Sequence, residues 1–216
     1  MILSANQRQK LDSSDDNLFY DSPRFVTHVD DGFIKQLRQL YAEILQPDSR
    51  VLDLMSSWVS HLPDISFEHV EGHGMNEAEL AKNKRLDHFF VQNLNLEPKL
   101  PLDDASFDAV LIAVSVQYLQ YPEAIFTEIQ RVLRPQGFCI VSFSNRMFYQ
   151  KAIAAWRDSS DADHLRLVKS YFAKTSGFGE PQAIAKTPDT PDFLRMLGIG
   201  AKDPFYAVIA QKVSST

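Results

Sequence analysis

The chain has 216 residues with 8 glycines, 1 cysteine and a formal net charge of −6 from 22 basic and 28 acidic residues. No segment fits G-x-G-x-x-G or GxxxxGK followed by Ser or Thr, which excludes those dinucleotide and phosphate-loop fingerprints. The single cysteine, Cys139, excludes an intrachain disulfide framework and a Cys-rich zinc site. The acidic balance disfavours nucleic-acid binding. The longest apolar run, residues 109–114, is too short to span a bilayer, and we expect a cytoplasmic protein without an integral membrane segment.

Residues 1–30 are polar and irregular, and we interpret them as an N-terminal extension or lid. We expect the first fourteen residues to be mobile and Phe19 and Tyr20 to pack on the rest of the protein. Residues 31–46 carry apolar side chains at helical spacing and predict an amphipathic helix that ends before Pro47.

The rest of the chain alternates between strand and helix patterns, which predicts an open α/β sheet with right-handed crossovers. Such sheets bind ligands at the carboxyl ends of their strands. The predicted strands are 50–54, 65–70, 86–91, 106–114, 138–143, 182–186 and 205–211. The predicted helices begin at Ser56 or Ser57, at Asn76 and at Pro122, and cover 146–158, 161–173 and 190–197.

Three segments resemble motifs of the class I S-adenosylmethionine-dependent methyltransferases, in particular the type-11-like group. VLDL at residues 51–54 is similar to the first strand of that fold. LPLDDASFDAV at residues 100–110 is similar to the entry to its fourth strand, and EIQRVLRPQG at residues 128–137 to its turn before the fifth. The motifs occur in the expected order and spacing.

This resemblance implies a Rossmann-like α/β fold: a three-layer sandwich with a seven-stranded, mostly parallel sheet. It implies the strand order 3-2-1-4-5-7-6 with strand 7 antiparallel, and S-adenosylmethionine as the cofactor. The methyltransferase-like domain would cover residues 31–216, with a helical lid insertion at about 146–173.

The sequence departs from the family at the loop after the first strand, where the glycine motif is degenerate. The family places three glycines in this loop, and the aligned positions hold Met55, Ser57 and Val59. We therefore expect the loop to follow a different path. Ser56 and Ser57 have two interpretations, an anion-binding helix N-terminus or simple helix caps, and both stay open.

A second departure concerns the acidic residue that the family uses to bind the ribose hydroxyls. The position falls on Gly74, followed by Met75, when the segment is aligned through the next helix. Glu71 would serve if it were aligned by distance from the strand. We prefer Gly74, which leaves the ribose acid missing.

By the same resemblance, Asp53 would accept a hydrogen bond from the amino group of the cofactor. Asn93 would replace the acid near the adenine amine, since its amide oxygen also accepts a hydrogen bond, and Leu94 would pack on the ring. Ser115 and Tyr118 follow the fourth strand, and we assign them to the cofactor site as well.

Weaker candidates for the acceptor side are Tyr20, His28, His61 and Arg146. Either histidine could act as a general base, and Arg146 could meet an anionic acceptor. No residue is assigned a catalytic role. The histidines lack the companions of a zinc site, so we expect no metal.

Two functions remain open from the sequence. The first is methyl transfer from S-adenosylmethionine to a small or amphipathic molecule. The alternative is a non-catalytic methyltransferase-like protein with a binding or regulatory role, which the degenerate loop and the missing ribose acid favour. The retained Asp53 favours the enzyme.

Overall fold

A computed structural model describes residues 2–187 and 202–213 and contains a seven-stranded sheet. Its order is β3-β2-β1-β4-β5-β7-β6, with β7 antiparallel to both neighbours and the other pairs parallel. This confirms the predicted topology. The helix predicted at 190–197 lies outside the described residues. The strands are β1 (Arg50–Leu54), β2 (His69–Gly74), β3 (His88–Val91), β4 (Phe107–Ala113), β5 (Leu133–Phe143), β6 (Gln182–Lys186) and β7 (Phe205–Gln211).

Helices cover both faces of this sheet, which gives the three-layer sandwich. Apolar residues of α2 pack with Val51 and Leu111 on one face, whereas those of α4 and α6 pack with Leu52 and Ile112 on the other. Successive residues of a strand point to opposite faces of the sheet, so each strand contributes side chains to the hydrophobic cores on both faces. The helices are α1 (Asp16–Tyr20), α2 (Asp31–Ile44), α3 (Glu77–Leu80), α4 (Pro122–Val132), α5 (Ala154–Arg157) and α6 (Asp161–Ala173).

Helix α2 forms as its sequence predicts. Phe33, Leu37 and Tyr41 recur on one face and are almost fully buried. The Asp30 side chain caps the first turn by accepting a hydrogen bond from the Phe33 N–H at 2.8 Å. The buried face places Tyr41 beneath the carboxyl end of β1, beside the candidate site.

The prediction for the second strand was wrong by about four residues. The strand was predicted at residues 65–70, but it begins at His69 and ends at Gly74. Glu71 is tolerated in the sheet because its carboxylate binds His69 Nε2 at 2.9 Å and His88 Nδ1 at 2.6 Å. Gly72 leaves room for the Leu86 side chain, which would have to move if a Cβ were added, since that Cβ would lie 2.3 Å from Leu86 Cδ1.

Two helix predictions were also wrong. Residues 55–64 form an irregular loop, so Ser56 and Ser57 cap no helix. The helix predicted at 146–158 is reduced to α5, and residues 146–153 are irregular. Helix α6 agrees with its predicted range and packs on α4 and β7.

The prediction of a mobile start to the chain was wrong as well. Leu3 is 1% exposed and belongs to the core on the α4 side of the sheet. Arg8 is buried and pairs with Glu123 of α4. The first residues are thus anchored to the domain, and this anchoring delivers residues 16–29 to the carboxyl edge of the sheet.

A buried ion cluster fastens this N-terminal segment to the loop after β5. The Lys151 side chain is 0% exposed, and its Nζ lies 3.0 Å from Asp12 Oδ2 and 3.3 Å from Asp16 Oδ1. The same Nζ donates to the Ser14 carbonyl at 2.9 Å. Lys10 supplies a second cation to Asp16. Each buried charge has a partner of opposite sign, which is the condition under which burial of charge is tolerated.

We predict that Lys151→Ala lowers the free energy of unfolding by about 3–5 kcal/mol, because it removes the buried cation shared by Asp12 and Asp16 and leaves Asp16 with Lys10 alone. Urea denaturation at pH 7 measures this value. The exposed Lys35 of α2 provides the control, and Lys35→Ala should change stability by about 0.5 kcal/mol or less. Equal stability of the two variants would show that the cluster contributes nothing to folding.

Candidate functional site

A cavity of about 410 Å³ opens at the carboxyl ends of the strands, where the fold class predicts a ligand. Its floor is formed by residues that follow β1, β2, β3 and β4, and its roof by parts of segments 16–29 and 146–148. All fourteen residues that the sequence singled out line it: Asp53, Met55, Ser56, Ser57, Gly74, Met75, Asn93, Leu94, Ser115, Tyr118, Tyr20, His28, His61 and Arg146.

The loop after β1 is irregular and keeps one residue in the left-handed conformation. Met55 has φ 60°, the left-handed conformation that favours glycine, whereas Val59 does not. The Met55 N–H donates to His73 Nδ1 at 3.1 Å, and the Ser56 N–H donates to the His73 carbonyl at 2.6 Å. These bonds direct the loop across the end of β2 and compensate for the cost of a side chain at positive φ.

His73 holds three strand ends together. It is 1% exposed, and its Nε2 lies 2.9 Å from the Gln92 carbonyl after β3. Because Nδ1 accepts from Met55, Nε2 carries the proton and donates to this carbonyl. Burial lowers the pKa of His73 to about 4, although the bond to Gln92 opposes the shift. The ring is therefore neutral at pH 7. Sequence reasoning found no role for His73, since the ring meets its partners only once the loop path is known.

Asp53 lies at the end of β1 and faces the cavity while being 8% exposed. Its Oδ2 accepts a hydrogen bond from the Ser56 hydroxyl at 2.7 Å. Burial raises the pKa of Asp53 to about 6, and the Ser56 bond reduces the shift. The side chain is a carboxylate at pH 7 and can accept from an amine in the cavity.

The Ser56 carbonyl explains why the position aligned with the ribose acid is glycine. A Cβ on Gly74 would lie 2.7 Å from this carbonyl oxygen, so an acidic side chain does not fit there. Glu71, the alternative, is bound to two histidines and does not line the cavity. Met75 follows at the cavity wall, and the Asn76 side chain caps α3.

The wall after β3 and β4 is built from amides, a hydroxyl and a phenol. Asn93 Oδ1 accepts from the Asn95 N–H at 3.0 Å, and Leu94 is buried beside it. The Ser115 hydroxyl is buried without a hydrogen-bond partner in the described part of the chain. The Tyr118 hydroxyl accepts from the Phe148 N–H at 2.8 Å. An unpartnered hydroxyl in a cavity wall is suited to a polar ligand atom.

The four acceptor-side candidates lie around the roof. Tyr20 is largely buried, and burial raises its pKa. Burial and nearby Arg38 lower the pKa of His61 to about 4, so it is neutral at pH 7, with Nδ1 lacking a partner among residues 2–187 and 202–213. His28 lies at the exposed rim against Phe148.

Arg146 was proposed to meet an anionic acceptor. In the structure its Nε donates to Asp203 at 2.7 Å, so the guanidinium group is already in a salt bridge. Three cavity residues with charge were missed by sequence reasoning, Glu79 of α3 and the N-terminal residues Asp16 and Arg24. The aromatic run around Phe19 signalled packing but gave no sign that these charges would face the strand ends.

Within the described residues, no group of three or more His, Cys, Asp or Glu side chains could hold a metal ion. The same residues contain no helix that is long and apolar enough to cross a membrane.

Comparisons with known proteins agree with this fold. Residues 57–141 match the family model described as a methyltransferase domain. The chain is 27% identical over 164 residues to the biotin biosynthesis bifunctional protein BioHC of Teredinibacter turnerae, covering 73% of this chain. It spans 26%, about a quarter, of that relative's length.

Solved structures show the same architecture. A protein of Pyrococcus horikoshii OT3 superposes with a TM-score of 0.59 at 18% identity, over 87% of this chain and 96% of that one. A SAM-dependent methyltransferase of Archaeoglobus fulgidus superposes with a TM-score of 0.56 at 14% identity, over 83% and 92% of the two chains. Residues 57–141 thus resemble a methyltransferase domain, and the fold is that of the class I S-adenosylmethionine-dependent methyltransferases, a likeness that supports S-adenosylmethionine as the cofactor.

We predict that the neutral state of His73 makes the protein less stable in acid. In the unfolded chain, the His73 imidazole has a pKa of about 6.5. Because the folded pKa is lower, the unfolded state takes up the proton first, and stability is lost as the pH falls from about 6.5 towards about 4. This group alone should lower the free energy of unfolding by about 2 kcal/mol between pH 7 and pH 5.

Urea denaturation of the wild type and His73→Asn at both pH values isolates this contribution, because Asp53 and His61 titrate in both proteins. The variant should be less stable at pH 7, yet its loss between pH 7 and pH 5 should be about 2 kcal/mol smaller. An equal loss in the two proteins would contradict a neutral, buried His73.

Proposed function

We propose that the protein transfers a methyl group from S-adenosylmethionine to a small or amphipathic acceptor. The observation that carries this proposal is the meeting of Asp53, Asn93 and Ser115, from three strand ends, in one cavity. The likeness to methyltransferases supports the cofactor, and the cavity wall fits it: the buried Ser115 hydroxyl has no partner in the described part of the chain, and Asp53 faces the same space.

We assign separate parts of the cofactor to separate walls. Asp53 would accept from the amino group, as a carboxylate at pH 7. Asn93 would contact the adenine amine, and Leu94 would pack on the ring. Gly74 leaves no acid for the ribose, and the hydroxyl of Ser115 is a free polar group in this wall.

The cofactor, when bound, supplies an electrophilic methyl group. The chain's own contribution would be to hold an acceptor atom in line with that group and to exclude water, since positioning alone accelerates such reactions strongly. The aromatic roof from Tyr20, Tyr118 and Phe148 suits an acceptor with an apolar body. A small-molecule acceptor, the absence of nucleic-acid binding and a cytoplasmic location stay predictions.

The alternative is a non-catalytic protein that binds a ligand in this cavity. The occupied N–H groups of Met55 and Ser56 and the missing acid at Gly74 favour it, because both remove contacts that the resemblance leads one to expect. Measurements of cofactor binding and of methyl transfer distinguish the enzyme from the non-catalytic protein.

We predict that Asp53→Asn weakens S-adenosylhomocysteine binding at pH 8 by about tenfold or more, since it removes the charge but keeps an acceptor for Ser56. Wild-type affinity should fall by up to about tenfold from pH 8 to pH 5, as a carboxyl group with a pKa of about 6 becomes protonated. The variant should lose most of this pH dependence. Isothermal titration calorimetry measures both effects.

Asp64→Asn is the matched control, because Asp64 is exposed and does not line the cavity. It should bind like the wild type. An Asp53→Asn protein with wild-type affinity would refute the assignment of Asp53 to the cofactor's amino group.

We also expect the protein to transfer labelled methyl groups from S-adenosylmethionine to small molecules. The name of the Teredinibacter relative makes intermediates of biotin biosynthesis the first acceptors to assay, followed by extracts of small amphipathic metabolites. Label should appear in an acceptor with the wild type and fall strongly with Asp53→Asn. Tight cofactor binding without transfer to any fraction would favour the non-catalytic alternative.

A further inference from the structure

The loop after β1 offers few free hydrogen-bond donors to an anionic part of a ligand in the cavity. S-adenosylmethionine carries a carboxylate next to the amino group that we assign to Asp53. The backbone N–H groups of Met55 and Ser56 are bound to His73, and no helix N-terminus follows them. A cation from another element would therefore supplement the few donors, such as Ser57, that the loop still offers to a carboxylate.

Two arginines line the cavity, and they differ in their partners. Arg146 is paired with Asp203 and has an exposed side chain. Arg24 has no salt bridge to an acidic side chain in the described part of the chain, and its Nη1 is buried without a hydrogen-bond partner there. The Glu79 carboxylate contacts the backbone of Arg24, because its Oε1 accepts a hydrogen bond from the Arg24 N–H at 2.6 Å.

The guanidinium group of Arg24 is nevertheless held in place. Its Nη2 donates to the Phe19 carbonyl at 2.7 Å. Its central carbon lies 4.3 Å from the centre of the Phe19 ring and 5.5 Å from that of Phe148. These contacts orient the cation without neutralising it, because aromatic faces and a carbonyl carry no formal charge. A half-buried, oriented cation without a salt-bridge partner is a strong carboxylate receptor.

We propose that Arg24 binds the carboxylate of the cofactor's amino-acid group, so that Arg24 and Asp53 recognise its two opposite charges. This rests on the proposed use of S-adenosylmethionine. The N-terminal segment would thus take over a contact that the β1 loop, with its glycines replaced, no longer makes through Met55 and Ser56. The proposal also explains why an uncompensated cation is retained beside the strand ends.

The test compares S-adenosylmethionine with decarboxylated S-adenosylmethionine, which keeps the amine and lacks the carboxylate. Calorimetry should show that the wild type prefers the complete cofactor by about 10- to 100-fold, the range of a charge-assisted hydrogen bond. Arg24→Gln should lose this preference while binding the decarboxylated compound as the wild type does. Arg24→Lys should recover part of it, since it restores the charge without the planar fork.

Asp53→Asn and Arg166→Gln serve as comparison variants. Asp53→Asn should weaken both compounds equally, because both carry the amine. Arg166→Gln, at an exposed position on α6, should change neither affinity. Circular dichroism and the unfolding temperature of each variant establish that it is folded.

The outcomes separate this inference from the proposed function. If Arg24→Gln is folded and keeps the wild-type preference for the complete cofactor, the role of Arg24 is refuted while cofactor use stands. An unchanged affinity for S-adenosylmethionine in Arg24→Gln has the same meaning. If the wild type binds neither compound, both the proposed function and this inference fall.

Discussion

The candidate site depends on the two hydrogen bonds that the neutral ring of His73 makes. Nδ1 receives the Met55 N–H from the end of β1, and Nε2 donates to the Gln92 carbonyl after β3. A single side chain on the middle strand therefore sets the relative positions of three neighbouring strand ends. A protonated ring would lose its acceptor, and no carboxylate in contact with it would compensate for the buried charge.

The hydrogen bonds of His73 connect the unusual loop after β1 with the absence of an acid at Gly74. The loop bends across β2, so the Ser56 carbonyl occupies the space that a side chain at position 74 would need. The Ser56 hydroxyl turns to Asp53 and keeps that carboxylate in the cavity. The absence of an acid at position 74 is thus a consequence of this loop path, whereas Met55 adopts a positive φ without being glycine.

The sheet was predictable from the sequence because buried parallel strands leave a strong apolar signal, as in residues 109–113 of β4. The polar half of β2 was not, because one of the two histidines that stabilise Glu71, His88, lies on the neighbouring strand and is not adjacent in sequence. The ten cofactor candidates reach one cavity because the fold brings strand ends together. Arg24 and Asp16 escaped prediction, since their placement depends on Lys151 and on packing of the N-terminal segment.

The buried contact of Lys151 with Asp12 joins positions separated by 139 residues, and it has a consequence for the order of folding. Contacts between such distant segments form slowly, because the intervening chain must first be brought into place. During synthesis from the N-terminus, the roof segment emerges first, and it can contact α3 before Lys151 has been made. The buried contact with Lys151 forms only after β5 and the loop that follows it, so the last fastening of the roof comes late.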